Sequence, residues 1–239
     1  MSGPILAGNE RNLIVVSAGR SGSSLLVNYL NCNRQIHCHG EILNSAHKIY
    51  GTVEGKTPEE VLRHVASFFS AGDTCYMGAK FLTHQFEELD LPLPAVLETL
   101  RRPKVIVLYR RSLLETYLSL LIAEQTGLWY STGMTGHASV KLDIEQFKVF
   151  AAVQRRRWQR AMEDISRLCP FLCTSYEEVT RNCTAAMNRI FSFIEITPVM
   201  VYSESVKQNP GSLMDKISNA SLLRPEDLEA AATLALEIE

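Results

Sequence analysis

Between Leu13 and Leu30 the chain reads LIVVSAGRSGSSLLVNYL. A short run of branched apolar residues is a strand signal, and it meets Ser17-Ala18-Gly19-Arg20-Ser21-Gly22-Ser23-Ser24, where small residues dominate. A helix-compatible stretch opens at Leu25. Strand, tight loop and helix in that order let backbone N–H groups close on an anion, with the partial positive charge of a helix N-terminus behind them. A triphosphate-splitting loop needs Gly-x4-Gly-Lys-Ser/Thr, with the Lys on the outer phosphates. Here Gly19 and Gly22 stand three apart, no Lys follows, and Arg20 sits inside the loop. The loop therefore points to a phosphorylated ligand other than a magnesium nucleoside triphosphate.

The rest of the chain alternates as strand–helix units do. Strands are expected at Leu13–Ser17, Tyr76–Leu82, Lys104–Tyr109 and Phe171–Ser175. Lys104–Tyr109 (KVIVLY) has the near-continuous apolar character of a strand covered on both faces. Helices are expected at Ser23–Asn31, from Thr57 to about Ser70, at Leu93–Leu100, Ser112–Thr126, Asp143–Arg167, over most of Tyr176–Ile194, and at Pro225–Ile238. Thr57-Pro58-Glu59-Glu60 carries a full helix-start signal: a capping Thr, Pro at the first helical position and Glu three residues after the cap. Asn31–His47, Gly127–Leu142 and Val206–Ser212 read as loops. The expectation is one α/β domain over 1–239, a P-loop-like three-layer fold with a central parallel sheet of about four to five strands and helices on both faces. Such sheets bind ligands at the carboxyl ends of their strands.

Charge and composition exclude several function classes. Lys plus Arg total 24 against 26 Asp plus Glu, a net charge of −2, so no global basic field invites nucleic acid. There is no apolar run long enough to span a membrane. The N-terminal residues lack the charged start and apolar core of a secretory leader, and six cysteines without a CxxC pair read as reduced thiols, so a cytoplasmic protein is expected. Cys32, His37, Cys38 and His39 cluster in sequence, but their spacing fits no standard zinc site and no metal is expected. The RRRWQR run at Arg155–Arg160 reads as a solvated helix face.

Further residues qualify as site candidates. Tyr109-Arg110-Arg111-Ser112 leaves the end of a buried strand, and Ser119 follows Arg111 by eight residues; an Arg and a hydroxyl can clamp a terminal phosphate. Glu41, in His39-Gly40-Glu41-Ile42-Leu43-Asn44, can serve as a general base, and Lys80, at the end of its strand, can neutralise a transferring group. Lys207-Gln208-Asn209 can close over a nucleotide. Trp129 and Tyr130 can stack on a sugar ring.

Taken together, these stretches resemble the sulfotransferases that use 3′-phosphoadenosine 5′-phosphosulfate (PAPS), and among them the small bacterial carbohydrate enzymes of the nodulation-factor and trehalose/lipopolysaccharide type. GRSGSSLL is similar to the family's 5′-phosphosulfate loop and YRRSLLETYLSL to its 3′-phosphate motif. GEILN, GAKFLTHQF and AEQTGLW are similar to signatures of the nodulation-type branch, and TSYEEV and KQNPGSLMDKISN to the later strand–helix step and the tail that closes over the cofactor. The likeness runs from Ile14 to Asn219. Ser23-Ser24 replaces the Thr of many relatives, and the Asn/Asp-Pro common after the 3′-phosphate Arg is missing.

The resemblance implies that Arg20, Ser21, Gly22, Ser23, Ser24 and Leu25 hold the 5′-phosphosulfate. Arg111 and Ser119 would hold the 3′-phosphate. Tyr176, Lys207 and Gln208 would complete the cofactor set. Glu41 takes the place of the general base, and Lys80 and Arg20 stand beside the reacting group. It implies in-line sulfuryl transfer to a hydroxyl of a carbohydrate or glycolipid without a metal. Two alternatives stand beside it: a small natural-product hydroxyl as acceptor, and a P-loop-like nucleotide-binding kinase or scaffold.

Overall fold

The computed structural model describes residues 12–46, 48–69, 74–129, 138–203 and 211–238. Among them, five strands form one parallel sheet: β1 (Asn12–Ser17), β2 (Ile36–Glu41), β3 (Tyr76–Leu82), β4 (Lys104–Tyr109) and β5 (Phe171–Ser175), in the order β2-β3-β1-β4-β5. The helices are α1 (Ser23–Asn31), α2 (Pro58–Ser67), α3 (Thr83–Glu88), α4 (Leu93–Thr99), α5 (Leu113–Thr126), α6 (Ile144–Leu168), α7 (Tyr176–Arg181), α8 (Cys183–Phe193) and α9 (Pro225–Thr233).

Strand alternation divides the core into two layers. Ile14, Val16, Ala79, Phe81, Val105 and Val107 pack beneath α2, α4, α5 and α6, through Val61, Leu97, Leu118 and Trp158 among others. Leu13, Val15, Cys38, Tyr76, Ile106 and Leu108 face the opposite way, onto Leu26 and Leu30 of α1 and Ile190 and Phe191 of α8. Each such fully buried aliphatic or aromatic side chain contributes roughly 1.5–3 kcal/mol. This is the three-layer α/β arrangement expected from the sequence.

Helix starts follow the side-chain chemistry. Thr57 accepts from the Glu60 N–H at 3.3 Å, and the Thr57 N–H donates to the Glu60 carboxylate at 2.9 Å, closing the expected capping box on α2. Ser112 caps α5 and Asp143 caps α6. In α6, Trp158 turns inward at 2 % exposure while Arg155, Arg156 and Arg160 face solvent.

Three expectations change. Asn31–His47 is not all loop, because Ile36–Glu41 forms β2. Its sequence, IHCHGE, conceals a strand because it lies at the sheet edge, where polar side chains are tolerated on an outward flank. Thr83–Glu88 adds a helix directly after β3. The last helix ends at Thr233 rather than Ile238: the chain then pairs with the β4–α5 turn, Ala235 bridging Ser112 and the Leu236 N–H donating to the Arg111 carbonyl at 2.8 Å.

Candidate active site

The loop between β1 and α1 takes the shape its residues permit. Arg20 and Gly22 both adopt left-handed backbone (φ 65° and 82°), a conformation costly for a non-glycine residue and common where a loop wraps a ligand. Gly22 is the N-cap of α1 and supplies no side-chain acceptor, so among the described residues no side chain caps the first turn, which carries Ser23, Ser24 and Leu25. The Ser21 hydroxyl, fully buried, donates to the Ala18 carbonyl at 2.6 Å. It ties the loop to itself, which leaves the backbone N–H as its means of meeting an anion.

Arg20 spans the mouth of this loop. Its Nε donates to Ser119 Oγ at 3.0 Å and its Nη1 to the Trp129 carbonyl at 2.7 Å. Burial first and Arg110 second hold its guanidinium below the usual range, with Glu41 opposing them only in part. The Trp129 side chain is 55 % exposed at this rim.

The two adjacent arginines part company. Arg110 is 7 % exposed. It pairs with Glu115 and donates through Nη1 to the Arg20 carbonyl at 3.4 Å, and its guanidinium lies 4.9 Å from the centre of the Tyr176 ring. Its Nε, also buried, meets no acceptor among the described residues. Lys216, 4 % exposed, approaches the other oxygen of Glu115 at 4.0 Å. The Tyr176 ring is wedged between Arg110 and the loop: a Cβ on Gly22 would fall 2.4 Å from it. Burial raises the Tyr176 phenol above its ordinary pKa.

Arg111, by contrast, donates through its backbone N–H to Glu177 and through its guanidinium to Glu178 Oε1 at 2.8 Å, with its side chain 52 % exposed. The structure therefore does not join Arg111 to Ser119. Strand parity explains this. Ile106 and Leu108 face α1, so Arg110, next in the alternation, continues toward the loop while Arg111 turns away. The alternation of KVIVLYRR held that signal, and the eight-residue spacing from Arg111 to Ser119 obscured it.

Lys80 and Glu41 meet beside Ser24. The Lys80 ammonium, 3 % exposed, lies 2.9 Å from Glu41 Oε1 and donates to Ser24 Oγ at 2.9 Å. Asn44 Nδ2 donates to Glu41 Oε2 at 2.8 Å. Removing Glu41 would leave the Lys80 ammonium buried without its carboxylate, which is costly, so the contact holds both groups in place. His84, in the first turn of α3, has its pKa lowered by burial, with Glu41 among the charges that act on it in the opposite sense. Asn44, His84 and Glu115 fall within the stretches GEILN, GAKFLTHQF and YRRSLLETYLSL, but the sequence assigns none of them a role of its own. The fully buried Ser17 hydroxyl and the Thr83 hydroxyl, at the strand ends, likewise have no role assigned from sequence, and neither has a partner among the described residues. Lys207, Gln208 and Tyr130 lie outside the described residues.

The arrangement has two halves. One is a cationic, partly unsatisfied recess made by the uncapped α1 turn, Arg20, Arg110, Ser119 and Tyr176, suited to a phosphorylated ligand. The other is a carboxylate–ammonium pair suited to moving a proton and meeting developing negative charge. No group of three or more metal-ligating side chains gathers among the described residues.

A sulfotransferase from Alicyclobacillus acidocaldarius superposes on this chain with a TM-score of 0.51 at 13 % identity, over 84 % of this chain and 87 % of that one. The chain has the fold of a sulfotransferase. Looser matches are the sulfotransferase domain of the curacin biosynthetic pathway (TM-score 0.49, 16 % identity, 96 % and 93 % covered) and mouse sulfotransferase SULT7A1 complexed with PAP (0.45, 14 %, 81 % and 62 %). No protein-family model and no curated protein matches the sequence. Within the sulfotransferase fold, the recess and the Glu41–Lys80 pair both sit at the carboxyl edge of the parallel sheet, where α/β folds place ligands. No helix among the described residues is long and apolar enough to cross a membrane.

Proposed function

We propose that this chain is a PAPS-dependent sulfotransferase, acting as one catalytic domain in the cytoplasm on a hydroxyl of a carbohydrate or glycolipid. The observation that carries the reading is the convergence, at the open edge of a sulfotransferase fold, of a cationic phosphate recess with a fixed carboxylate–lysine pair.

The N–H groups from Ser21 to Leu25 would cradle the 5′-phosphosulfate, with Arg20 and Lys80 beside the transferring group. Arg110 takes the 3′-phosphate role in place of Arg111, sharing it with Ser119, because Arg110 is the buried cation that faces the recess with a donor to spare. Tyr176 borders the nucleotide, and Lys207 and Gln208 close over it. An acceptor hydroxyl oxygen attacks sulfur while Glu41 removes its proton. The new O–S bond forms as the S–O bond to the 5′-phosphate breaks, and 3′-phosphoadenosine 5′-phosphate (PAP) leaves with the electron pair. The loop N–H groups, Arg20 and Lys80 meet the charge that builds on the leaving oxygen. No step calls on a metal.

Calorimetric titration with PAP, adenosine 5′-phosphate and ATP-magnesium tests the recess. Tight binding of PAP with little response to the others is expected; a preference for ATP-magnesium would return the chain to the kinase class. Transfer of labelled sulfuryl from PAPS to a panel of sugar and small-molecule hydroxyls tests the chemistry and the acceptor class. Glu41→Gln should keep PAP binding and lose turnover by roughly 100-fold or more, the scale of general-base catalysis.

A further inference from the structure

The side chain of Glu41 is on the wrong face of β2 by simple alternation. A period of two groups it with His37 and His39 and sets it against Ile36 and Cys38, which face α1. The rings of His39, Tyr50 and Phe68 do gather on the far side, at 5.1–6.0 Å between centres. Yet Glu41 reaches Lys80, which itself reaches Ser24 on α1. The register explains how: Cys38 pairs with Gly78 and Glu41 with Lys80, so three steps along β2 match two along β3. The extra residue is a β-bulge, which turns the next side chain to the other face and leaves backbone groups unpaired by the ladder.

Side chains from outside the strand hold this bulge at each point. Asn31 of α1 brackets its start, accepting from the Cys38 N–H at 2.7 Å and donating to the Cys38 carbonyl at 2.9 Å. In its middle the Gly40 N–H donates to the Tyr50 hydroxyl at 2.8 Å. Just beyond Glu41, His64 Nε2 donates to the Ile42 carbonyl at 3.0 Å. Gly40 leaves room for the central contact, since a Cβ there would stand 3.0 Å from the Tyr50 oxygen.

We propose that Tyr50 is a positioning residue for Glu41: its hydroxyl pins the bulge that swings the carboxylate across the sheet to Lys80. This rests on Glu41 being the base of the proposed reaction, but the geometric claim can be tested apart from it. Tyr50→Phe keeps the ring and removes the acceptor, and Gly40→Ala displaces the same oxygen while leaving the tyrosine intact.

Two readouts apply to both variants. The first is the NMR signal of the Lys80 ammonium, assigned by its loss in Lys80→Arg, together with the titration of the Glu41 carboxyl, assigned by its loss in Glu41→Gln. The second is kinetics: kcat for sulfuryl transfer against PAP affinity. In both variants the Lys80 signal should broaden or vanish and the Glu41 midpoint should move. Transfer should show kcat down by about 10-fold with PAP affinity within about twofold, the signature of misplacement rather than lost binding. If the Lys80 signal and the Glu41 midpoint stay in place in both variants, the proposal is overturned, whatever happens to thermal stability. If they move while wild-type protein neither binds PAP nor transfers sulfuryl, the positioning claim stands and the sulfotransferase reading falls.

Discussion

Two helix starts in this molecule solve the same problem in opposite ways. Both α1 and α2 begin with backbone N–H groups that have no partner within the helix. At α2, Thr57 and Glu60 answer that need from the chain itself, and Pro58 removes one of the donors. At α1, Gly22 offers nothing, Arg20 and Gly22 itself take left-handed backbone, and the ring of Tyr176 presses against the glycine from outside. The first terminus is complete as it stands; at the second no side chain among the described residues supplies a cap, and the proposed phosphate site relies on the N–H groups this leaves open. On that proposal, stability and function fall to different helix ends.

The contrast can be broken at α1. Gly22→Ala must place a Cβ 2.4 Å from Tyr176 and hold a left-handed φ, at a cost of order 1–3 kcal/mol. Calorimetry should then show no measurable PAP binding, and thermal unfolding should show the stability loss. The adjacent arginines sharpen the same comparison. Arg110→Ala should weaken PAP by roughly 100-fold, in keeping with the loss of a charge-assisted contact, whereas Arg111→Ala should stay within about threefold. The reverse ranking would restore the role that the sequence motif suggested for Arg111. At α2, Thr57→Ala should cost about 1 kcal/mol, a few degrees in melting temperature for a chain of this size, with PAP affinity unchanged.

The smallest effect is expected from pH. Burial holds the His84 imidazole below its ordinary pKa of 6.5, as it does that of His39. Below that value the unfolded chain takes up protons that the folded chain refuses, so stability falls as the pH drops from about 7.5 to about 5.5. Thermal midpoints across that range should show the fall, and His84→Gln should flatten part of it.

Much of the fold was legible because its signals are local. KVIVLY, TPEE and the Gly-Ser loop each declare an element within a few residues, and the strands at Tyr76, Lys104 and Phe171 begin and end where the sequence places them. β2 was not legible, since an edge strand with two histidines and a bulged glycine keeps no clean period. The site divides in the same way. The loop and Glu41 stand out as candidates by residue type, but the Glu41–Lys80 contact depends on β2 lying beside β3, a pairing that no local pattern encodes. The two arginines lie between these cases: alternation along β4 indicates that Arg110 continues toward the loop, whereas the spacing to Ser119 singles out Arg111, whose side chain the structure places against Glu178.

The all-parallel sheet bears on how this site comes into being. Parallel neighbours cannot be joined by a tight turn, so each pairing waits for a crossover to close, and chains dominated by such distant contacts fold slowly. The contacts of the recess span the same distances: Arg20 reaches Ser119 across 99 positions, and Lys80 reaches Ser24 across 56. They form only once the strands and helices that carry them have come together. A nucleotide that fits the recess would therefore bind only finished molecules and draw the folding equilibrium toward them, by about 2.7 kcal/mol at a hundred times its dissociation constant. Cofactor supply inside a cell would then govern how long the protein survives as well as how fast it works.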